Sequence, residues 1–138
     1  MTHGARLGSA VMFVQQLDRS VSFYQEVLEL AVVDRSPTAA LLVGAGGSQL
    51  VLRSLGANAA HALGSIGVQY VTWTAAGEDD LARCEQVLRE RSAHRETRSS
   101  GPVSAVEGRD PDDLVVMIVY SGPDQLPLHE LPVRVYGW

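Results

Sequence analysis

One arrangement of residues occurs twice along this chain. A short apolar run, an amphipathic helical stretch and three strand-sized runs separated by turn residues fill positions 8–55, and the same order returns over 66–120. A repeat of this length limits the fold severely. One curved βαβββ unit of four strands leaves a sheet face open, and pairing two such units closes a cavity between them. The expected class is therefore α+β, with two βαβββ modules forming a curved mixed sheet around a central cavity.

In the first module the residues Ala10 to Val14 are apolar and strand-like, and Leu17, Val21, Tyr24 and Leu28 then recur at helical spacing. The spacing predicts a helix from about Arg19 to Leu28, with Asp18 as the capping residue that accepts a first-turn N–H. Strands are predicted over Leu30 to Arg35, Ala39 to Val43 and Gln49 to Arg53, with Gly44, Gly46 and Gly47 turning the last hairpin. Residues 56–65 are Gly, Ala and Asn rich without periodicity and read as a linker.

The second module opens on Val68 to Thr74, rich in β-branched and aromatic residues. Leu81, Cys84 and Leu88 follow at helical spacing behind the acidic start Glu78-Asp79-Asp80, which suits a helix N-terminus. A weak strand near Glu96, a clearer one from Val103 to Glu107, a turn at Asp110-Pro111-Asp112-Asp113 and an apolar strand from Leu114 to Tyr120 complete the unit. The tail, 121–138, carries Pro127, Pro132, Leu128, Leu131, Val133 and Tyr136, so it is expected to be extended and to pack on the body or on a partner.

At 138 residues the whole chain is expected to form a single domain. A net charge of -5 with scattered arginines offers no footprint for nucleic acid. No apolar run approaches the roughly 20 residues that cross a bilayer, so no membrane role is expected. One cysteine allows no intramolecular disulfide, no secretory pattern opens the chain, and a cytoplasmic location is expected.

The stretch Leu17-Asp18-Arg19-Ser20-Val21-Ser22-Phe23-Tyr24-Gln25-Glu26-Val27-Leu28-Glu29-Leu30 resembles the opening motif of the vicinal oxygen chelate superfamily, which holds glyoxalases, extradiol dioxygenases and bleomycin resistance proteins. Tyr70-Val71-Thr72-Trp73 and Asp110-Pro111-Asp112-Asp113 are similar to that family's His-Val-Thr-Trp strand and Asp-Pro-Asp-Gly turn. The resemblance implies the fold and a site carried in the cavity. It leaves the chemistry open, since one fold hosts many activities.

In metal-using relatives four inward side chains, usually His, Glu or Gln, hold a divalent ion. Carried over through these motifs, the four places fall on Ser9, Val51, Tyr70 and Met117. A register one residue off would turn Gln69 inward in place of Tyr70, and one Gln would not restore the set. Neutral Ser, Tyr and Met around an aliphatic Val would not hold a hard dication. No metal and no cofactor are expected. His3, His61, His94 and His129 share no ligand spacing and read as solvated, and the Asp110 to Asp113 run reads as a solvated turn rather than a calcium loop. Cys84 lies on an apolar helical stripe and reads as core.

Strand alternation turns Val11, Phe13, Gln49 and Arg53 to the same side as Ser9 and Val51, with Thr72, Val115, Met117 and Val119 joining Tyr70 opposite. Such a lining suits a flat or aromatic organic molecule gripped by Phe13, Tyr70 and Met117 and oriented by Gln49, Arg53 or Thr72. Core packing competes with that role at each single position. Trp73, Phe23 and Val27 read as core, and Tyr24 is left to either layer. Arg53 and Glu107 are the strand charges placed to meet a ligand.

Three functions fit. The leading one is a metal-free small-molecule-binding protein similar to bleomycin resistance proteins, working as a homodimer on an aromatic or natural-product-like ligand. The alternative is a glyoxalase-like or dioxygenase-like enzyme, a lyase, isomerase or ring-cleaving oxygenase, with Tyr70, Arg53 and Glu107 as candidate groups if it works without a cofactor. The third is an interaction module whose cavity Phe13, Tyr70 and Met117 fill.

Overall fold

The computed structural model describes residues 4–5, 7–56 and 68–122. The expected linker beyond Gly56, the tail beyond Gly122, and His3, His61 and His129 lie outside the described residues. The chain divides into two compact units, Met1–His61 and Ala62–Trp138, each holding one helix and one four-stranded mixed sheet. The class is α+β, and both units have the βαβββ order.

In the first unit β1 (Ala10–Val14), α1 (Leu17–Leu28), β2 (Ala31–Arg35), β3 (Ala39–Val43) and β4 (Gln49–Ser54) follow one another. The sheet order is β1-β4-β3-β2, with β1 parallel to β4 and the other pairs antiparallel. The parallel pair requires a crossover, and α1 begins it. Leu17, Val21, Phe23, Tyr24 and Val27 are buried on α1, while Leu42, Leu50 and Leu52 are buried on the strands. Full burial of each leucine contributes about 2 kcal/mol. Tyr24 belongs to this layer, its ring meeting Phe23 edge to face at 5.1 Å between centroids.

The helix starts earlier than the spacing predicts, and Asp18 is not its cap. Gln16 takes that position without a side-chain cap, and the Asp18 carboxylate instead accepts a hydrogen bond from Arg35 on β2. Leu17 is buried in the core, so packing draws it into the first turn against the local preference for an acidic cap. In the turn before β4, Gly46 and Gly47 adopt φ of 68° and 79°, which a side chain would oppose.

The second unit repeats the plan with β5 (Val71–Thr74), α2 (Glu78–Glu90), β6 (His94–Ser100), β7 (Val103–Arg109) and β8 (Val115–Tyr120) in the order β5-β8-β7-β6. β5 is parallel to β8 and the remaining pairs are antiparallel. Leu81, Cys84 and Leu88 are buried on α2, so the thiol is a core group, with Arg83 Nη2 at 3.5 Å from its sulfur. A Cβ added at Gly108 would lie 2.8 Å from Leu88 Cδ2 and 2.9 Å from the Ala93 carbonyl oxygen, so α2 rests on bare backbone there.

β5 and β6 depart most from their expected extents, while β2, β4, β7 and β8 differ by one or two residues at an end. β6 runs seven residues rather than a weak patch near Glu96, because seven polar or charged side chains on an edge strand carry no apolar alternation to announce it. β5 is shorter than expected, since its ladder with β8 begins at Val71, and Val68 is exposed.

Candidate functional site

Pairing assigns each strand residue to a face. In the first sheet Leu50 and Leu52 are buried on the side that faces α1, so Gln49, Val51 and Arg53 occupy the helix-free side. Val11 stands opposite Val51 and Phe13 opposite Arg53 across the parallel pair. Leu41 lies opposite Val51 and Ala39 opposite Arg53 on the other flank. This face is apolar and open, with Val11 58 % and Phe13 57 % exposed. Ser9 precedes the ladder and is exposed.

In the second sheet Gly108 marks the α2 side, together with its partner Val116 and with Ile118 and Trp73. Met117 therefore lies on the helix-free side, opposite Thr72 on β5 and Glu107 on β7. Val103, Ala105, Met117 and Val119 form a buried cluster against which Tyr70 packs. Thr72 and Met117 thus share one face of this unit with Tyr70 packed against it, and Val11, Phe13, Gln49, Val51 and Arg53 share one face of the first. The two faces differ in character, since Met117 is only 2 % exposed.

Charged residues flank the second cluster in a pattern that the sequence did not announce. Glu96 stands directly opposite Glu107 across the β6–β7 pair. Arg98 pairs with Glu96 at 3.1 Å and Arg109 reaches Glu107 at 3.8 Å, which offsets the repulsion of two facing carboxylates. The Nε atoms of Arg98 and Arg109 are buried without hydrogen-bond partners. Glu107 was legible as a strand charge, whereas Arg98 was hidden by the weak signal of β6.

His94 does not read as it did in the sequence. Its side chain is 12 % exposed and its Nε2 lies 2.7 Å from Thr97 Oγ1 and 3.6 Å from Glu85 Oε1. The Thr97 hydroxyl donates to the Glu85 carboxylate, so it must receive its other hydrogen bond from the imidazole N–H. The Thr97 hydrogen bond, then Arg89 and His94, hold the Glu85 carboxyl below its ordinary range against the opposing effect of partial burial. His94 and Thr97 pair with Gly108 and Val106, so this network ties β6 to α2 on the covered face.

The Asp110 turn is satisfied from within. Asp110 Oδ1 accepts the N–H groups of Asp112 at 2.8 Å and Leu114 at 2.9 Å. Asp113 holds φ of 65° where the resembling motif has glycine. Among the described residues no three His, Cys, Asp or Glu side chains gather as metal ligands. The places matched to the chelate positions offer a hydroxyl, an isopropyl, a phenol and a thioether, a donor set that does not fit a hard dication. No described helix is long and apolar enough to cross a membrane.

Comparison with known proteins agrees with this geometry. The sequence profile of the Glyoxalase/Bleomycin resistance protein/Dioxygenase superfamily matches residues 6–124. The chain is similar in structure to a glyoxylase/bleomycin resistance protein/dioxygenase domain from Frankia sp. EAN1pec, with TM-score 0.77 and 21 % identity over 89 % of this chain and 96 % of that one. It is also similar to the fosfomycin resistance protein FosX from Mesorhizobium loti, with TM-score 0.67 and 14 % identity over 95 % and 98 % of the two chains. Lactoylglutathione lyase from Agrobacterium tumefaciens follows with TM-score 0.65 and 16 % identity over 86 % and 96 %. No curated protein sequence matches the chain. At these identities the solved structures speak for the fold alone. The profile match spans most of the chain and coincides with both βαβββ units, and the chain therefore belongs to the Glyoxalase/Bleomycin resistance protein/Dioxygenase superfamily.

Proposed function

We propose that this protein binds a small aromatic or natural-product-like molecule without a metal ion, in the manner of the bleomycin resistance proteins of its superfamily. The observation that carries the reading is the open face of the first sheet, where Val11, Phe13 and Val51 form an apolar surface beside the polar groups of Gln49 and Arg53. An exposed apolar patch with a few polar handles marks a recognition surface rather than ordinary solvent-facing sheet. Tyr70 and Thr72 are the corresponding contacts of the second sheet. The protein acts as a cytoplasmic homodimer in this reading.

Titration of chelator-treated protein with aromatic natural products, bleomycin among them, tests the proposal through Trp and Tyr fluorescence. Saturable binding is expected, unchanged by chelator and weakened several-fold by Phe13→Ala. Binding that appears only after addition of a divalent metal overturns the reading, as does a failure of every compound to bind. Size-exclusion chromatography with light scattering reads the dimer separately.

An enzyme is the second reading, and the placement of Tyr70 and Glu107 favours it. A phenol and a carboxylate flank Met117 on one face, and such a pair can move a proton at a bound carbonyl compound. Time-dependent conversion of a bound compound that Glu107→Gln abolishes decides for it.

A further inference from the structure

We infer that the molecule bound on the first sheet carries an oxyanion, which Arg53 receives while the apolar body of the molecule lies on Phe13 and Val51. The inference deepens the proposed function and rests on it. Its basis is the place of Arg53 on the apolar open face of the first sheet, where no described acidic side chain pairs with it.

Arg35 is paired with Asp18, Arg83 with Asp80, Arg89 with Glu85, Arg98 with Glu96 and Arg109 with Glu107. Among the described residues Arg53 and Arg95 have neither an ion pair nor a side-chain hydrogen bond, although the chain carries 16 acidic residues against 11 basic ones, and Arg95 lies on the polar edge strand β6. Arg53 is exposed at the centre of its sheet rather than at an edge, because β4 lies between β1 and β3. A central strand is where a charge has fewest water-facing alternatives once the face is covered.

Its neighbours are suited to a planar group. Phe13 lies opposite on one flank and Ala39 on the other, so an aromatic residue is the strand neighbour of Arg53 on one side and a single methyl group leaves room on the other. The other residues of the face near it are neutral: Val51, Leu41 and Gln49. Asp34 is the one carboxylate among the described strand residues of this face. It stands opposite Leu41 on the far edge strand β2, with β3 between it and β4, and forms no ion pair with Arg53.

A guanidinium presents five N–H donors in a fixed fork that matches a carboxylate or a phosphoryl group in two-point contact. When a ligand covers this face, those donors lose water and need an acceptor, since a desolvated unpaired charge is costly. An oxyanion beside an apolar ring meets both demands, and a neutral apolar molecule meets only one. Carboxylate, phosphonate and phosphate share the required chemistry.

The test uses 2-naphthoate, 2-naphthyl phosphate and the neutral 2-naphthamide as probes, with binding to the full-length protein measured by calorimetry at low and moderate salt. At least one of the two acids is expected to bind about tenfold or more tighter than the amide. The preference should shrink with salt, vanish in Arg53→Gln and survive in part in Arg53→Lys. Which acid binds better distinguishes carboxylate from phosphoryl recognition. Equal binding of acids and amide overturns the inference, and so does a preference that persists in Arg53→Gln. If the amide binds as well as both acids and Phe13→Ala weakens all three, the small-molecule reading stands while the oxyanion is refuted. If no probe binds the unmodified protein, both fall together. Arg53 is exposed, so the variants are expected to keep the wild-type melting temperature.

Discussion

Glu107 stands directly opposite Met117 across the antiparallel β7–β8 pair, on the face of the second sheet that α2 leaves free. A carboxylate is thus one strand away from the place that the family resemblance assigns to a metal ligand, and that place itself holds a buried thioether within an apolar cluster. Glu107 is engaged with Arg109, and neither Ser9 nor Val51 supplies a second strong donor. Protein purified without chelator is therefore expected to carry far less than one divalent ion per chain by elemental analysis. Added Mn2+, Ni2+ or Zn2+ is expected to leave the melting temperature unchanged, and a stoichiometric ion overturns this expectation.

The two faces of the first sheet should respond unequally to truncation. Leu52 is fully buried beneath α1, so Leu52→Ala is expected to cost about 2–5 kcal/mol in denaturant unfolding. Phe13, more than half exposed on the other face, should cost about 1 kcal/mol or less as Phe13→Ala. Comparable losses for both would show that the outer face is packed rather than open.

Gly108 is expected to tolerate no side chain. Its added methyl would crowd Leu88 and the Ala93 carbonyl oxygen, and backbone does not yield as a flexible side chain does. Gly108→Ala is expected to lower stability by about 1–3 kcal/mol, read as a fall in melting temperature and faster hydrogen exchange in α2.

Ser20 predicts a gain. Its hydroxyl is fully buried on α1 and has no hydrogen-bond partner. Ser20→Ala removes an unsatisfied polar group and substitutes the residue with the highest helix propensity, so stability should rise by about 0.5–1 kcal/mol. A loss on chemical denaturation would mean that the hydroxyl has a partner after all.

Glu85 gives a pH dependence whose sign is set. Its carboxyl is held below the ordinary range in the folded state, so its ionised form adds stability above the unfolded value of about 4.3. That contribution disappears as pH falls through the lower folded value. Glu85→Gln should be less stable than wild type at neutral pH by up to about 1 kcal/mol, because the network is partly exposed. The difference should close in acid, and one that widens there would contradict the assignment.

Much of this molecule was legible from residue order. The helical spacing of Leu17, Val21 and Tyr24, the alternation around Val51 and around Met117, and the turn at Asp110 each depend on neighbours in sequence, where period and turn chemistry act directly. Those features account for both βαβββ units and for which residues share a sheet face. What escaped were features that need a partner from elsewhere. Asp18 has the chemistry of a cap, yet Arg35 on β2 takes its carboxylate. His94 has the look of a surface residue, yet Thr97 and Glu85 enclose it. β6 lacked an apolar signature because its register is written in charges.

The sequence by itself determined the repeated element order and the face on which most strand residues lie, and the family resemblance gave the expectation that Ser9, Val51, Tyr70 and Met117 stand at the chelate places. Only tertiary structure decided that Phe13 stays exposed while Met117 is buried, that Glu96 faces Glu107, and that Arg53 has no ion-pair partner among the described residues. The physical reason is range. Side-chain alternation and helical period follow from the geometry of a single strand or helix, whereas burial and ion pairing depend on which distant segment arrives beside a residue and whether it brings a complementary group.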